Sequence, residues 1–501
     1  MFRQARTFIK HRSFQTATLL LCAFAFVSSV TISPLYTNNQ NSYFFHGLAK
    51  ADYGYLREDF LFSTQDPFPL FSSIVHFIHT YSIDLLFLAL HSMLLIIYFL
   101  SLANISKRVM GLQRNIVPYL CISFALILAH SAASGFLSKH LFGMNLPRIL
   151  YDGVAGQTLV TPEIQPSTLG ILCITSILLY TRRMKYISIF LIAISCYIHA
   201  SYILIGSLII FAFILHTHVK RRSTQEAIQI GLIAALLIGL PAFWHYWRFK
   251  PDDLSTLKLA SEILVLDRIP HHALISSWFG IPSLVKIGIC LIAIWITRKN
   301  TLGFLLSFLF ITGLALSCIQ YITNNYQLAL LFPWRISVVL IPISLSVILG
   351  DIVRLSFKKL SISNFAINRI SKYFLISLIL GCAITGGIYT FLRTEKIAQM
   401  PYQAAFSFAK TSAKSGDLYM IPPDMINFRL STGIPIFTDG KTHPFKASEI
   451  IEWFRRRNLA NTFYSAGQDN CDTLKAILIE NSITHTLVQS DSAIIRCGLG
   501  T

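Results

Sequence analysis

The chain carries little charge for its length. Only 13% of its 501 residues are Asp, Glu, Lys or Arg, whereas soluble globular proteins carry about 25%. Hydrophobic residues make up 54% of the sequence. Because a single water-soluble core cannot bury so much apolar surface, the composition indicates a protein whose solvent is largely lipid.

Acidic residues are scarcer than basic residues. The chain has 23 Asp and Glu against 42 Lys and Arg, a net charge of +19. An excess of positive charge can indicate nucleic-acid binding, but here the basic residues lie between apolar runs. They are better explained as cytoplasmic anchoring charge, and no nucleic-acid partner is predicted.

Metal-ligand spacings are missing as well. Seven of the nine cysteines lie in apolar runs without a CxxC spacing, which is typical of small packing residues. No metal site or cofactor is predicted, and no cluster indicates a divalent cation. Cys471 and Cys497 lie in the polar C-terminal region, where they either form a disulfide or remain free thiols.

Apolar runs of the length needed to cross a bilayer recur through the first four fifths of the chain. A spanning helix needs about 20 apolar residues. The run 186–218 is too long for one ordinary span, so we interpret it as a helical hairpin that turns near His199–Ser201, with one tilted span as the alternative. The sequence thus predicts a polytopic α-helical bundle of about eleven spans: 16–36, 83–103, 116–135, 166–181, 186–200, 201–218, 226–246, 281–297, 301–322, 330–350 and 371–393.

The positions of Lys and Arg orient these spans. With a cytoplasmic N-terminus, most loop Lys and Arg fall on the inner side, as the positive-inside rule requires. The first apolar run follows a basic stretch but has no obvious cleavage site, which favours an uncleaved span over a signal peptide. We therefore expect a multi-pass protein of a bacterial inner membrane. Its longer loops, 37–82, 136–165, 247–280 and 323–329, would face outwards.

The composition changes after the last span. "SGDLYMIPP", "STGIPIFTDG" and "THTLVQS" have strand-like patterns, while "ASEIIEWFRRRN" and "CDTLKAILIENS" have helical spacing. Alternating strands and helices predict a small α/β domain. The expected organisation is a transmembrane domain over 1–393 and an extracytoplasmic, periplasmic domain over 394–501.

Carboxylates are candidates for a catalytic base in the first outer loop. Asp52, Glu58, Asp59 and Asp66 lie close to the predicted membrane surface, where low dielectric can raise a carboxyl pKa. Asp59 is the preferred base because it follows an aromatic amphipathic segment, and Asp52 is the second candidate. An ordinary solvated loop is the alternative.

Cationic side chains are prominent in the third outer loop, "LDRIPHHALISSWFG". Paired His with Arg can bind phosphate or move a proton, and adjacent histidines do not easily share one metal ion. Phosphate or pyrophosphate recognition is therefore predicted, with interfacial snorkelling as the alternative. The residues concerned are Arg268, His271, His272 and Trp278.

Further charged residues stand close to the ends of other spans. Arg335, in "FPWR", lies just inside an apolar run, where a charge is costly and usually functional. Arg148 and Glu163 add a cation and an acid from the second outer loop. Arg429 in the tail either faces the same cleft or pairs within the tail.

These loops resemble the GT-C superfamily of membrane glycosyltransferases. The resemblance rests on "YFFHGLAKADYGYLREDF…DPFPLFS", "DRIPHH…W", "FPWR" and "FRLSTGIPIFTDGKTHPF…EWFRRR". Where the family has an acidic pair after the first span, this chain has Asn38–Asn41, and Asp59 matches the second acidic position of the loop pattern.

The resemblance implies transfer of a sugar, with inversion, from a polyprenyl-phosphate carrier to an extracytoplasmic glycan, lipid or protein acceptor. A leaving phosphate needs cations, and an acceptor hydroxyl needs a base. The alternatives are a polysaccharide polymerase or ligase, a transporter or flippase, and a non-catalytic assembly factor. A transporter is less favoured because no internal repeat is visible.

Overall fold

The chain is mainly helical in the computed structural model, which describes residues 2–111, 116–359, 365–465, 471–488 and 497. The α-helices are α1 Phe2–Ser29, α2 Gln40–Tyr43, α3 Phe45–Lys50, α4 Phe60–Ser63, α5 Pro69–Thr80, α6 Leu85–Met110, α7 Val117–His130, α8 Ala132–Phe142, α9 Leu146–Tyr151, α10 Ile171–Thr181, α11 Lys185–Ile198, α12 Tyr202–Val219, α13 Thr224–Arg248, α14 Leu254–Glu262, α15 Pro270–Ala273, α16 Ile275–Trp278, α17 Ile281–Thr297, α18 Thr301–Thr323, α19 Tyr326–Leu330, α20 Ser337–Lys359, α21 Phe365–Ala398, α22 Gln403–Ser412, α23 Phe428–Thr432, α24 Ala447–Ser465 and α25 Cys471–Glu480. Three short 3₁₀ helices span Leu56–Glu58, Pro166–Gly170 and Pro333–Ile336, and one π-helical turn spans Ile263–Arg268.

Six helical segments in the described part of the chain are long and apolar enough to cross a membrane. α7 and α8 together pass the same test but are bent by 62°. This length and apolarity indicate a membrane-embedded protein. The six segments are Leu85–Met110, Tyr202–Val219, Thr224–Arg248, Thr301–Thr323, Tyr326–Lys358 and Arg369–Ala398; shorter apolar helices cover Gln15–Ser29, Pro166–Thr181, Lys185–Ile198 and Ile281–Thr297.

The predicted hairpin at 186–218 is confirmed. α11 ends at Ile198 and α12 begins at Tyr202, so the helix breaks at His199–Ser201. Gly206 packs so tightly on α11 that an added Cβ would lie 2.6 Å from the Ile192 side chain. A glycine permits this close approach of two helices in an apolar environment.

The helices pack around one large apolar core, and small residues set the closest contacts. α6 and α20 meet where Gly350 lies against the backbone of Ser106, and the Ser106 hydroxyl donates to the Ser346 carbonyl at 2.7 Å. Such contacts replace the hydrophobic drive that is lost between helices in lipid. They fasten α6 to α20 near the C-terminal ends of both helices.

The tail beyond α21 contains the two predicted helices, α24 and α25, but much less strand than expected. β1 (Tyr419–Met420) pairs in parallel with β2 (His485–Thr486), and the predicted strand "STGIPIF" contributes one bridge, from Ile436 to Tyr419. Pro422 and Pro435 remove backbone donors beside these short ladders, and α23 takes the beginning of the second segment.

A disulfide joins Cys471, the first residue of α25, to Cys497, with Cα atoms 5.4 Å apart. Of the two states that the sequence left open, the structure has the bridged one. The bond ties α25 to residue 497, which packs with the apolar cluster under α24 and α25. It therefore fastens the end of the tail to its own core.

The tail packs against the segments predicted as the first and third outer loops. Tyr55 N donates to the Gly433 carbonyl at 2.8 Å, and Gln65 N donates to Glu449 at 3.0 Å. α24 packs along α14, with Arg457 paired to Asp267. Loops and tail therefore enclose one common region, which contains the candidate site.

Candidate functional site

A buried ion-pair triad joins the first predicted outer loop, residues 37–82, to the tail. Arg429 donates from Nε to Asp59 at 2.9 Å and from Nη1 to Asp439 at 2.6 Å. The three side chains are at most 2% exposed. Two carboxylates around one guanidinium are tolerable at this depth only because backbone N–H groups supply further donors.

Those donors occupy both oxygens of Asp59. Oδ1 caps α4 by accepting from Leu61 N at 2.9 Å, while Oδ2 accepts from Ile436 N at 3.0 Å as well as from Arg429. Asp59, the predicted base, is therefore engaged as an anchor between loop and tail. Asp52, the second candidate, is exposed and pairs with Arg57 at 2.7 Å.

From the triad, hydrogen bonds lead to the third outer loop. The second oxygen of Asp439 accepts from Lys441 N at 2.7 Å, and the Lys441 carbonyl accepts from Arg268 Nε at 3.0 Å and Nη2 at 2.6 Å. Arg268, at the end of the π-helical turn, is thus held by the tail. This connection links Asp59 to Arg268 through two side chains, those of Arg429 and Asp439, and the backbone N–H and carbonyl of Lys441.

Arg268 and Arg335 both act electrostatically on Tyr43, the last residue of α2. Burial raises the pKa of the Tyr43 phenol, and the positive charges of Arg335 and Arg268 oppose that shift. The Tyr43 ring also packs on Phe68, with centroids 5.1 Å apart. Two cations from separate segments therefore influence one phenol.

Arg335 is positioned by the "FPWR" turn. Phe332 has a left-handed backbone with φ of +50°, a conformation that non-glycine residues rarely adopt. The Arg335 guanidinium donates to Gln157 and to Ser201, the latter in the break between α11 and α12. The side chain thus connects the second outer loop to the hairpin turn.

The histidine pair differs from expectation. Burial lowers the pKa of His272 to about 4, and nearby positive charges act in the same direction. Its Nδ1 donates to the Ala155 carbonyl at 2.5 Å, so the ring is neutral near pH 7 and does not supply a positive charge for phosphate. His271 is exposed, with its ring 4.1 Å from that of His272.

Glu163, in the segment between α9 and the Pro166–Gly170 helix, is a buried carboxylate on which the charge of Lys441 acts. It is 5% exposed, and burial raises its pKa, opposed by the charges of Arg393 and Lys441 and by hydrogen bonds from Asn39 N–H and the Asn38 side chain. Among the described residues, its Oε2 has no hydrogen-bond partner. A carboxylate therefore lies beside the asparagine stretch that follows the first span.

Arg148 interacts with a different set of residues from those around Arg268 and Arg335. It is exposed on α9, and its charge acts on Tyr151 and Asp152. Within the described ranges, no group of three or more His, Cys, Asp and Glu side chains is arranged to hold a metal ion.

An apolar cavity of about 580 Å³, here called the α17–α18–α20 cavity, is lined by Trp278 and by Trp334, the neighbour of Arg335 in the chain. Its walls also include residues of α17, α18 and α20, such as Ile287, Leu314 and Leu340. The volume lies in the range of about 300–1,000 Å³ typical of ligand pockets.

Several contributors could not be recognised from the sequence. Tyr43 lies in a loop without periodicity, and the "TDG" segment indicates only a turn at Asp439. Lys441 acts partly through its backbone carbonyl, which no motif reveals. The one usable signal was the resemblance of "TGIPIFTDGK" to a family pattern, which marks the segment without assigning roles to its residues.

Part of this site lies in a recognised sequence family. Residues 401–460 match the family described as a domain of unknown function, DUF6798. That stretch includes Arg429, Asp439 and Lys441 and covers a small part of the chain. A comparison with curated proteins gave no match.

Proposed function

We propose that the protein is a membrane glycosyltransferase of GT-C type that moves a sugar from a polyprenyl-phosphate carrier to an extracytoplasmic acceptor, with inversion. The observation that supports it most is that the charges of Arg268 and Arg335 both act on the buried Tyr43 phenol, while Trp334, the neighbour of Arg335, lines a large apolar cavity. A donor with a phosphate head and a long hydrocarbon tail matches that combination of charge and apolar surface.

In this proposal the two guanidinium groups bind the phosphate of the donor. Arginine presents a planar set of donors that suits phosphate, and Tyr43 OH adds one more. The carrier chain lies in the α17–α18–α20 cavity, entered from the bilayer between α17 and α18. Trp278 and Trp334 cover the junction between head and chain.

Glu163 then serves as the base. The acceptor hydroxyl gives its proton to Glu163 while its oxygen bonds to the anomeric carbon, and the bond from that carbon to the phosphate oxygen breaks. The carrier phosphate leaves with the electron pair, stabilised by Arg268 and Arg335. One displacement inverts the configuration, and Asp59 holds the tail, through Arg429, against the site.

The topology in this proposal has eleven spans, a cytoplasmic N-terminus and a periplasmic tail in a bacterial inner membrane. Six long apolar helices, the α7–α8 pair as one span and four shorter apolar helices supply that number. The disulfide in the tail supports an oxidising compartment. The packing of the tail on loops 37–82 and 247–280 supports placing them on one side.

The test is transfer by the purified protein in nanodiscs. Undecaprenyl-phosphate hexoses and pentoses are supplied with extracted membrane glycolipids and glycans, and release of undecaprenyl phosphate is measured by mass spectrometry. We expect Glu163→Gln to lower turnover about a hundredfold or more, the usual contribution of a general base. Because a base works deprotonated, wild-type activity should rise with pH through the raised pKa of Glu163.

Glu449→Gln is the matched control. Glu449 is also a partly buried glutamate on the same side, with a pKa raised by burial, but it contacts Gln65 in the loop–tail interface. It should retain turnover and the pH profile. Full activity of Glu163→Gln would remove Glu163 from the base role, and release from no donor by wild type would refute the transferase.

A further inference from the structure

A second apolar cavity lies beside the break between α11 and α12. It has a volume of about 570 Å³ and lies between α5, the α11–α12 hairpin and α13; we call it the α13 cavity. Its lining is almost wholly apolar, including Pro67, Ala200, Ile203, Leu240 and Trp247. Leu240 and Trp247 are more than half exposed.

A few neighbouring residues connect the lining of the α13 cavity to that of the α17–α18–α20 cavity. Ala200 lines the α13 cavity, and its neighbour Ser201 accepts from Arg335, while Trp334 lines the other cavity. Pro67 and Pro69 face the α13 cavity, and Phe68 between them packs on Tyr43 and His199.

One buried polar atom at this junction has no hydrogen-bond partner among the described residues. His199 is 7% exposed, and its Nε2 has no hydrogen-bond partner within the described part of the chain. Its Nδ1 interacts with the Ser201 hydroxyl at 2.9 Å. A buried polar atom without a partner is costly, so a polar group of a bound molecule between the two cavities would relieve that cost.

The rim of the α13 cavity carries positive charge. Arg248, the last residue of α13, lies over the Trp244 ring at 5.2 Å and donates to Gln65. Lys250 follows two residues later and is exposed. The nearby Asp252 is engaged by Lys446 of the tail at 3.3 Å. An apolar pocket below two cations suits an amphiphile with an anionic head.

We propose that the α13 cavity binds the acceptor, and that the acceptor is itself a lipid with an anionic head group. This inference rests on the proposed function and narrows its acceptor class. Both substrates then approach sideways from the bilayer, one on each side of the Arg335–Ser201–His199 junction. The acceptor hydroxyl lies towards Tyr43 and Glu163, with its chains against α13.

Photo-crosslinking in nanodiscs tests this inference. The probes are a phosphatidylglycerol with a diazirine in one acyl chain and a diazirine-bearing undecaprenyl phosphate, and labelled peptides are mapped by mass spectrometry. We expect phosphatidylglycerol to label the Leu240–Trp247 peptide. Ala200→Trp and Leu240→Trp, which fill the cavity from inside and from its mouth, should each reduce that labelling at least tenfold.

Ser317→Trp, which fills the α17–α18–α20 cavity, is the matched control and should remove only the undecaprenyl phosphate label. Unchanged phosphatidylglycerol labelling in both α13-cavity variants means surrounding bilayer lipid only and overturns the inference. Undecaprenyl phosphate in the α13 cavity would overturn it as well. Undecaprenyl phosphate labelling in neither cavity would instead refute the proposed donor, whatever the phosphatidylglycerol result.

Discussion

At the scale of single residues, the surroundings of each charged side chain distinguish residues that hold the structure together from residues that can react. Asp59 has both oxygens occupied by protein donors, whereas Glu163 has a raised pKa and one oxygen without a partner among the residues that the structure describes. A carboxylate with satisfied oxygens is poorly suited to accept a proton. The two acids differ in environment far more than their sequence contexts indicate.

Removing the cation of the triad should destabilise the protein. Arg429→Met leaves Asp59 and Asp439 buried without their shared partner, and breaking a buried pair costs about 3–5 kcal/mol. Arg429→Lys should recover only part of this because one ammonium cannot reproduce the two directed contacts. Thermal unfolding in detergent measures the loss, and Arg455→Met, in an exposed pair with Glu452, is the control.

An unimpaired melting temperature for Arg429→Met would contradict the anchor role. Asp59→Asn provides a second measurement, since it keeps the size of the side chain and removes the charge. It should lower stability and leave the pH profile of any remaining activity unchanged. Loss of that profile would return the base role to Asp59.

A pH-dependent effect is expected at Asp152. Burial raises its pKa to about 6, so the folded protein holds this proton more tightly than the unfolded chain. The contribution of this proton to the free energy of unfolding is fully present below about pH 4 and is lost as pH rises through about 6. Asp152→Asn should therefore gain up to about 3 kcal/mol over wild type at pH 7.5 and little at pH 4.5.

Melting curves at the two pH values check this, with the exposed Asp472→Asn as control. A gain of equal size at both pH values would show that packing, and not ionisation, distinguishes the variant. Equal stability of variant and wild type at pH 7.5 would contradict the raised pKa.

At the scale of elements, close backbone contact fastens the first loop to the tail. Gly54 has φ of +57°, and a Cβ there would overlap the Gly433 carbonyl oxygen, which accepts from Tyr55 N. The αL residue Gly433 ends α23. Two glycines therefore set the distance between loop and tail.

Gly54→Ala should weaken this contact. The variant adds a steric overlap with backbone to the cost of about 1 kcal/mol for alanine at positive φ. Gly143→Ala is the matched control, since Gly143 has φ of +66° with open space around its Cβ position. Limited proteolysis of the tail should be faster in Gly54→Ala than in Gly143→Ala, and equal rates would show that only the backbone angle matters.

The elements also show how far sequence patterns reach. Hydropathy identified every long apolar helix and the break at His199–Ser201, because a bilayer demands length and apolarity that appear directly in the sequence. The short helices α2 to α4 were not predicted from the sequence, because each has too few residues for a helical periodicity of hydrophobic positions to be visible. The tail strands were overestimated because pairing depends on partners distant in the chain.

At the scale of the whole molecule, the site depends on contacts between segments far apart in sequence. Arg335 was recognisable from its depth in an apolar run, and Arg268 from its neighbours. Their shared electrostatic effect on Tyr43, and the contribution of Glu163 and Lys441, depend on how the loops fold over one another. The distribution of Lys and Arg predicts on which side of the membrane each loop lies, but it does not predict which residues the loop contacts.

The location of the tail is the final prediction. In the proposed topology the tail lies outside, so Lys414→Cys, exposed after α22, should react with a membrane-impermeant maleimide on intact spheroplasts. Lys299→Cys, exposed between α17 and α18, should react only after permeabilisation. The unsubstituted protein, whose thiols are mostly buried, gives the background.

If Lys414→Cys were protected and Lys299→Cys labelled, Arg268, Arg335 and Glu163 would face the cytoplasm, where the Cys471–Cys497 bond is not expected to persist. Such a result would leave the geometry of the site intact and reverse the side from which its substrates come.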